Sequence, residues 1–157
     1  MNAFPEYSFH LADEEETLKF GARLAQMLES GDVVALYGDL GMGKTTLSRG
    51  VIKSLIPELE DVPSPTYTIV QVSEPDAFQL WHFDLYRLDD PSEVIEIGLE
   101  EALNDVCLIE WPEKAGNYLP QSRLSLTLKP DGTGRLACLT AGSKEWADRL
   151  EGHFGHD

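Results

Sequence analysis

A chain of 157 residues can bury one core but is short for two, so a single domain over 1–157 is expected. Apolar residues make up 42% and charged residues 25%, ordinary for a globular protein, but the net charge is −16, with only 12 Lys and Arg. That balance argues against unaided binding to nucleic acid or to an anionic membrane, because both need clustered cations.

The N-terminal MNAFPEYSFHLADEEE has neither the basic stretch nor the apolar core of a signal peptide. No apolar run nears the ~18 residues of a membrane span. YSFHL (7–11) reads as a short strand. Asp13 is placed to cap a helix, with Glu16 in the capping-box position. Leu18, Ala22, Ala25 and Leu28 follow at helical spacing, so a helix is expected over about 13–29. DVVALYG (32–38) has the length and β-branched content of a buried strand. A glycine-rich loop comes next, then a helix over 45–56 stopped by Pro57.

PELEDVPSPT reads as a loop. TYTIVQV (66–72) and AFQLWHFDLYRL (77–88) read as two strands joined by a tight turn at 73–76. Asp90-Pro91-Ser92-Glu93 starts a helix expected to run to about Asn104. VCLIEW (106–111) is a further buried strand. LSLTL (124–128) and RLACLT (135–140) form a hairpin around Asp131–Gly134, and KEWADRLEGHF closes the chain as an amphipathic helix. This order predicts an α/β protein with a mostly parallel central sheet flanked by helices and an added antiparallel hairpin, which the phosphate-binding motif of the glycine-rich loop, GDLGMGKT, narrows to the P-loop NTPase fold. Cys107 and Cys138 sit in apolar runs without a CxxC or ligand cluster, which fits buried free thiols in a reducing cytosol.

The chemistry is concentrated in GDLGMGKTT (38–46). Gly38-Asp39-Leu40-Gly41-Met42-Gly43-Lys44-Thr45 satisfies G-x-x-x-x-G-K-S/T between a strand and a helix, the context this phosphate-binding loop requires. Its glycines let backbone N–H groups point at phosphate oxygens, and the helix N-terminus adds a positive dipole end. Lys44 is expected to reach the β- and γ-phosphates as a point charge, and Thr45 to place its hydroxyl on Mg²⁺. Such a site also needs a carboxylate at the end of a neighbouring strand, on the ligand edge of the sheet. Glu110 closes VCLIE and Asp84 closes LWHFD. SPTYT (64–68) is the candidate segment for sensing the γ-phosphate, through Thr66. The chain has no N-K-x-D or T-K-x-D element for guanine, so ATP is the expected nucleotide.

GDLGMGKTT, SPTYT, HFDLYRL and IEWPEK occur in this order, and their combination closely resembles the TsaE family. These are small bacterial P-loop ATPases of the tRNA threonylcarbamoyladenosine pathway, and the likeness runs from about Leu11 to Arg135. It implies that the loop from Asp39 to Thr46, including Leu40 and Met42, holds the triphosphate, with Lys44 and Thr45 on phosphate and magnesium. It makes Glu110 a magnesium ligand and Trp111 a neighbour of the nucleotide. It gives Thr66 a switch-like role and Asp84 the ordering of the hydrolytic site. Asp13 and Glu14 fall near the adenine, with Glu113, Gly134 and Arg135 along the same edge. Met42 stands where many members carry alanine, and its longer side chain is expected to point away from the phosphates.

The family role implied is an accessory ATPase that docks on the TsaB–TsaD complex and hydrolyses ATP to reset it, touching tRNA only indirectly. The expected location is cytoplasmic, with no membrane partner. In-line attack of water on the γ-phosphate, ordered by Asp84 or Thr66, should be slow without a partner, since the chain offers no obvious arginine finger and Arg87 is the arginine close in sequence to Asp84. Two other readings share the loop. A small-molecule kinase would need an acceptor pocket and an arginine-rich lid, and arginine is scarce. A non-catalytic nucleotide-gated module would use ATP only to order SPTYT. The four histidines have no metal-ligand spacing, and His82 reads as an ordinary strand residue.

Overall fold

The computed structural model describes residues 4–39, 41–58, 67–72 and 78–155. In chain order the elements are β1 (Glu6–Leu11), α1 (Glu14–Ala25), β2 (Val33–Tyr37), α2 (Lys44–Leu55), β3 (Tyr67–Val72), β4 (Phe78–Asp84), α3 (Glu93–Glu96), α4 (Leu99–Ala102) and β5 (Val106–Glu110). A 3-10 segment (Pro112–Tyr118), β6 (Leu124–Asp131), β7 (Gly134–Ala141) and α5 (Lys144–Phe154) complete the chain.

The seven strands form one sheet in the order β1-β7-β6-β2-β5-β4-β3. The centre is parallel: β6, β2, β5 and β4 run the same way. The most continuously apolar runs, VVALY and VCLIE, lie in the middle and are covered on both faces, as parallel strands require. The late hairpin forms as expected, with β6 and β7 in register from Leu124↔Ala141 to Asp131↔Gly134. β1 extends that edge antiparallel to β7, and β3 extends the other edge antiparallel to β4.

Alternation along the strands sorts two cores. Val34, Leu36, Leu80, Leu108 and Leu126 face Phe20 and Leu24 of α1, Leu47 and Val51 of α2, and Trp146, Leu150 and Phe154 of α5. Val33, Trp81, Phe83, Cys107 and Ile109 face Val94 of α3, Leu99 and Ala102 of α4, and Ala115 and Leu119. α5 is further tied down by Arg149, which donates to Asp32 at 2.7 and 3.2 Å and to the carbonyl of Met27 at 2.9 Å.

Three boundaries differ from the sequence expectation. α1 ends at Ala25, because the N–H groups of Met27 and Leu28 bond three residues back and tighten the last turn. β4 ends at Asp84, whose carboxylate accepts the N–H of Tyr86 at 3.0 Å and turns the chain. The helix expected over 90–104 is two short ones, broken at Gly98 (φ 94°), whose missing side chain leaves room for Trp81: a Cβ there would lie 3.2 Å from the indole. The expected turn at 73–76 lies outside the described residues. Among the described residues no helix is long and apolar enough to cross a membrane.

Candidate nucleotide-binding site

Three chain segments arrive at one edge of the sheet because the central strands are parallel. Leu36 pairs with Glu110 across β2 and β5, and Asp84 pairs with Glu110 across β4 and β5. The glycine-rich loop leaving β2 therefore lies beside the two strand-end carboxylates. α2 begins at Lys44 with no side-chain cap and no acidic residue in its first turn. In α1, by contrast, Asp13 accepts the N–H of Glu16 at 2.9 Å, and Glu14, Glu15 and Glu16 occupy the first turn. The uncompensated N–H groups and dipole of α2 favour an anion.

Lys44 is buried, 5% exposed. Its ammonium donates to the carbonyl of Gly38 and lies 3.4 Å from the centroid of the Trp111 ring. Burial lowers its pKa, and the charges of Glu110, Glu113, Asp84 and Asp39 push it back up. Trp111 has φ 58° and ψ 50°, the sole non-glycine residue with positive φ among those described, and its ring meets Tyr86 at 4.9 Å. A left-handed tryptophan directly after a strand-end glutamate is backbone strain of the kind that collects at functional sites.

Glu110 is 2% exposed, and both its oxygens are engaged. Oε1 accepts from the Thr45 hydroxyl at 3.0 Å, and Oε2 accepts from Nε2 of His82 at 2.7 Å. His82 was not legible as a site residue. The available signal was a histidine inside the otherwise apolar run LWHF, on the same face as Asp84 and two residues before it.

Two cavities straddle the loop and share Gly41, Gly43 and Thr46. One, of about 270 Å³, is also lined by Lys44, Thr45, Asp84, Glu110 and Trp111. The other, of about 200 Å³, brings together Asp13, Glu14, Met42, Gly134 and Arg135, with Thr17 at its wall. Arg135 donates to the carbonyl of Gly41 at 3.4 Å and so bridges the hairpin to the loop. Met42 packs against the α1/α2 core and lines this second cavity. Asp39 is exposed, and its carbonyl accepts the N–H of Met42 at 3.2 Å. Glu113 is exposed and acts on Lys44 through its charge. Leu40 and Thr66 lie outside the described residues.

The donor set fits Mg²⁺ bound together with phosphate. Thr45 and Glu110 offer two hard oxygens side by side, and Mg²⁺ commonly takes one or two protein oxygens, waters and substrate phosphates. Among the described residues no cluster of three or more His, Cys, Asp or Glu forms a complete protein cage for a metal.

The family model for "Threonylcarbamoyl adenosine biosynthesis protein TsaE" matches residues 11–137. The chain is 41% identical over 137 residues to a Rickettsia felis protein named "tRNA threonylcarbamoyladenosine biosynthesis protein TsaE", covering 86% of this chain and 80% of that one. It is 40% identical over 126 residues to the Haemophilus influenzae protein of that name, covering 76% and 79%. Against the Bacillus subtilis protein of that name it is 37% identical over 130 residues, covering 81% and 80%. Among solved structures, the crystal structure of Bacillus subtilis YdiB superposes with a TM-score of 0.79 at 28% identity, covering 100% of this chain and 99% of that one.

Proposed function

The chain belongs to the TsaE family of tRNA threonylcarbamoyladenosine biosynthesis, and from that premise we propose that it is a Mg²⁺-dependent ATPase that docks on the TsaB–TsaD complex and resets it by hydrolysing ATP. The observation that carries this reading is the Thr45–Glu110 pair, 3.0 Å apart, at the open N-terminus of α2 beside Lys44.

In this reading the loop amides and the first turn of α2 hold the triphosphate, and Lys44 places its charge on the β- and γ-phosphates. Asp13, Glu14, Thr46, Gly134 and Arg135 surround the base and sugar in the second cavity. Thr45 and Glu110 hold Mg²⁺, which would neutralise charge developing on the transferred phosphoryl oxygens. Asp84 orients the attacking water in line with the γ-phosphate, assisted by Thr66. Arg87 is exposed, so fast turnover waits on a group supplied by the partner. The net charge of −16 favours docking on a basic protein face over direct contact with tRNA.

Phosphate release from Mg-ATP tests this reading, measured for the chain alone and then with TsaB and TsaD. Low basal turnover that rises with both partners and disappears in Glu110→Ala is the expected result. Turnover indifferent to the partners, or label appearing on a metabolite, would replace it with the kinase reading. Binding without turnover, with or without partners, would leave the nucleotide-gated module.

Asp84→Asn separates positioning from binding. Losing the carboxylate that orients water should lower kcat by about 10²–10⁴-fold, the range for a positioned acid–base group, with ATP affinity nearly constant. Single-turnover hydrolysis and calorimetric titration read the two quantities separately. An equal loss in both would place Asp84 in nucleotide binding instead.

A further inference from the structure

We propose that His82 is a positioning residue for the magnesium site: it fixes the Glu110 carboxylate so that one oxygen stays beside Thr45. The inference rests on the reading of Thr45 and Glu110 as the Mg²⁺ ligands.

The geometry begins with the strands. His82 and Asp84 occupy the same face of β4, and β4 runs in register with β5, pairing His82 with Leu108 and Asp84 with Glu110. The imidazole thus reaches forward to Glu110 from one position behind it. It is 1% exposed, in a row that otherwise holds Leu80 and Leu108. A histidine gains no packing advantage over leucine in such a row, and burying its polar ring costs free energy unless it is hydrogen-bonded. Its bond is the one to Glu110 Oε2, 2.7 Å long. Nδ1 is buried without a partner. The ring therefore carries a polar burden on one side and returns a single short bond on the other.

That bond decides the carboxylate's orientation. A glutamate has three side-chain torsions, and a ligating carboxylate free to swing presents its oxygens over a wide arc. With Oε2 held by His82, Oε1 is directed at the Thr45 hydroxyl. Outer partners of this kind typically change metal affinity about 10–100-fold when removed. His82 lines neither cavity, so it acts through Glu110 and touches neither nucleotide nor metal.

Two variants test this. His82→Leu removes the donor and keeps an apolar filling. His82→Gln puts an amide N–H about where Nε2 stands. Each is titrated with ATP by calorimetry, first in EDTA and then in graded Mg²⁺, with melting curves as a check on folding. The expected result is that His82→Leu binds ATP in EDTA like the parent but needs about tenfold more Mg²⁺ for half-maximal enhancement. His82→Gln should return that midpoint most of the way. An unchanged Mg²⁺ midpoint in His82→Leu would overturn the proposal. So would a midpoint that glutamine fails to restore, or a matching loss of binding in EDTA, which would make His82 a packing residue. Glu110→Ala distinguishes the premise: if its Mg²⁺ midpoint is also unchanged, the fault lies with the Mg²⁺ assignment itself.

Discussion

Lys44→Met should raise the melting temperature of the nucleotide-free protein and, on the ATPase reading proposed above, weaken its binding of ATP. The two effects have one origin. Burial lowers the pKa of Lys44, and four acidic neighbours compensate only in part, so the native state holds the charged ammonium less well than the unfolded chain does. The sign follows from proton binding. With the folded pKa below 10.5, the unfolded chain binds more protons in the window between the two values, so stability rises with pH there. Below the folded pKa the penalty is fully present. Methionine fills similar space without a charge and so removes the desolvation of the ammonium, while the loss of a positive charge beside the buried Glu110 carboxylate opposes that gain. Losing the bonds from Lys44 to Gly38 and Trp111 opposes it too, which keeps the expected gain on the order of 1 kcal/mol, or about 2–4 °C for a chain of this size. Against ATP the same change should weaken binding by about 2–5 kcal/mol, the range for truncating one member of a buried charge pair. Calorimetric melting without nucleotide, over a pH series rising from neutral toward 10.5, checks the first part. The gap between variant and parent should narrow as the pH rises. A lower melting temperature for the variant at neutral pH would mean that the Gly38 and Trp111 contacts and the charge of Glu110 outweigh the desolvation of the ammonium.

Local chemistry was legible in the sequence, and long-range placement was not. The loop from Gly38 to Thr45 stands out because its whole pattern is contiguous in sequence. Glu110 and Asp84 identify themselves because an acid at the end of an apolar strand must emerge at the sheet edge. His82 did not, because its meaning depends on which strand lies beside β4 and in what register, a pairing across 28 residues of chain. The C-terminal helix was legible as amphipathic, but Arg149 was not legible as its anchor, since Asp32 lies 117 residues away. The break at Gly98 is a tertiary override of another kind: the start signals around Asp90 are present, with Asp90 accepting from Ser92 and Glu93 accepting from Asp89 and Asp90. The short helices then have to fit around Trp81 on the sheet. Trp111 lies between these cases. Its place after Glu110 is visible, but its left-handed backbone and its seat on Lys44 emerge only with the fold.

Gly50→Ala should destabilise the protein and weaken ATP binding, though Gly50 touches neither cavity. In an exposed helix interior the same change stabilises by up to about 1 kcal/mol, because alanine is the better helix former. Here the sign reverses. A Cβ on Gly50 would lie 2.4 Å from the carbonyl oxygen of Leu18 and 3.0 Å from its Cα, and one on Gly21 would lie 2.5 Å from the carbonyl oxygen of Leu47. These are backbone atoms of the opposing helix, so no rotamer change relieves them. α1 and α2 must separate, and overpacking of this kind typically costs about 1–3 kcal/mol. Net of the propensity gain, a loss of roughly 1–2 kcal/mol is expected, which lowers the melting temperature by several degrees. The functional effect follows from what the two helices carry. The start of α1 sets Asp13, Glu14 and Thr17 on one wall of the second cavity, and the start of α2 sets Thr46 on the other, with Gly43 just before it. Separation at Gly50 therefore widens the cavity assigned to the base and sugar while leaving Thr45 and Glu110 paired. ATP affinity should fall with little change in the Mg²⁺ dependence of binding, and ADP affinity should fall by the same factor, since the γ-phosphate contacts are untouched. A melting temperature that rises on Gly50→Ala would mean that helix propensity governs this position and that the helices do not approach so closely in solution. Unchanged nucleotide affinity despite lower stability would detach the helix spacing from the width of the cavity.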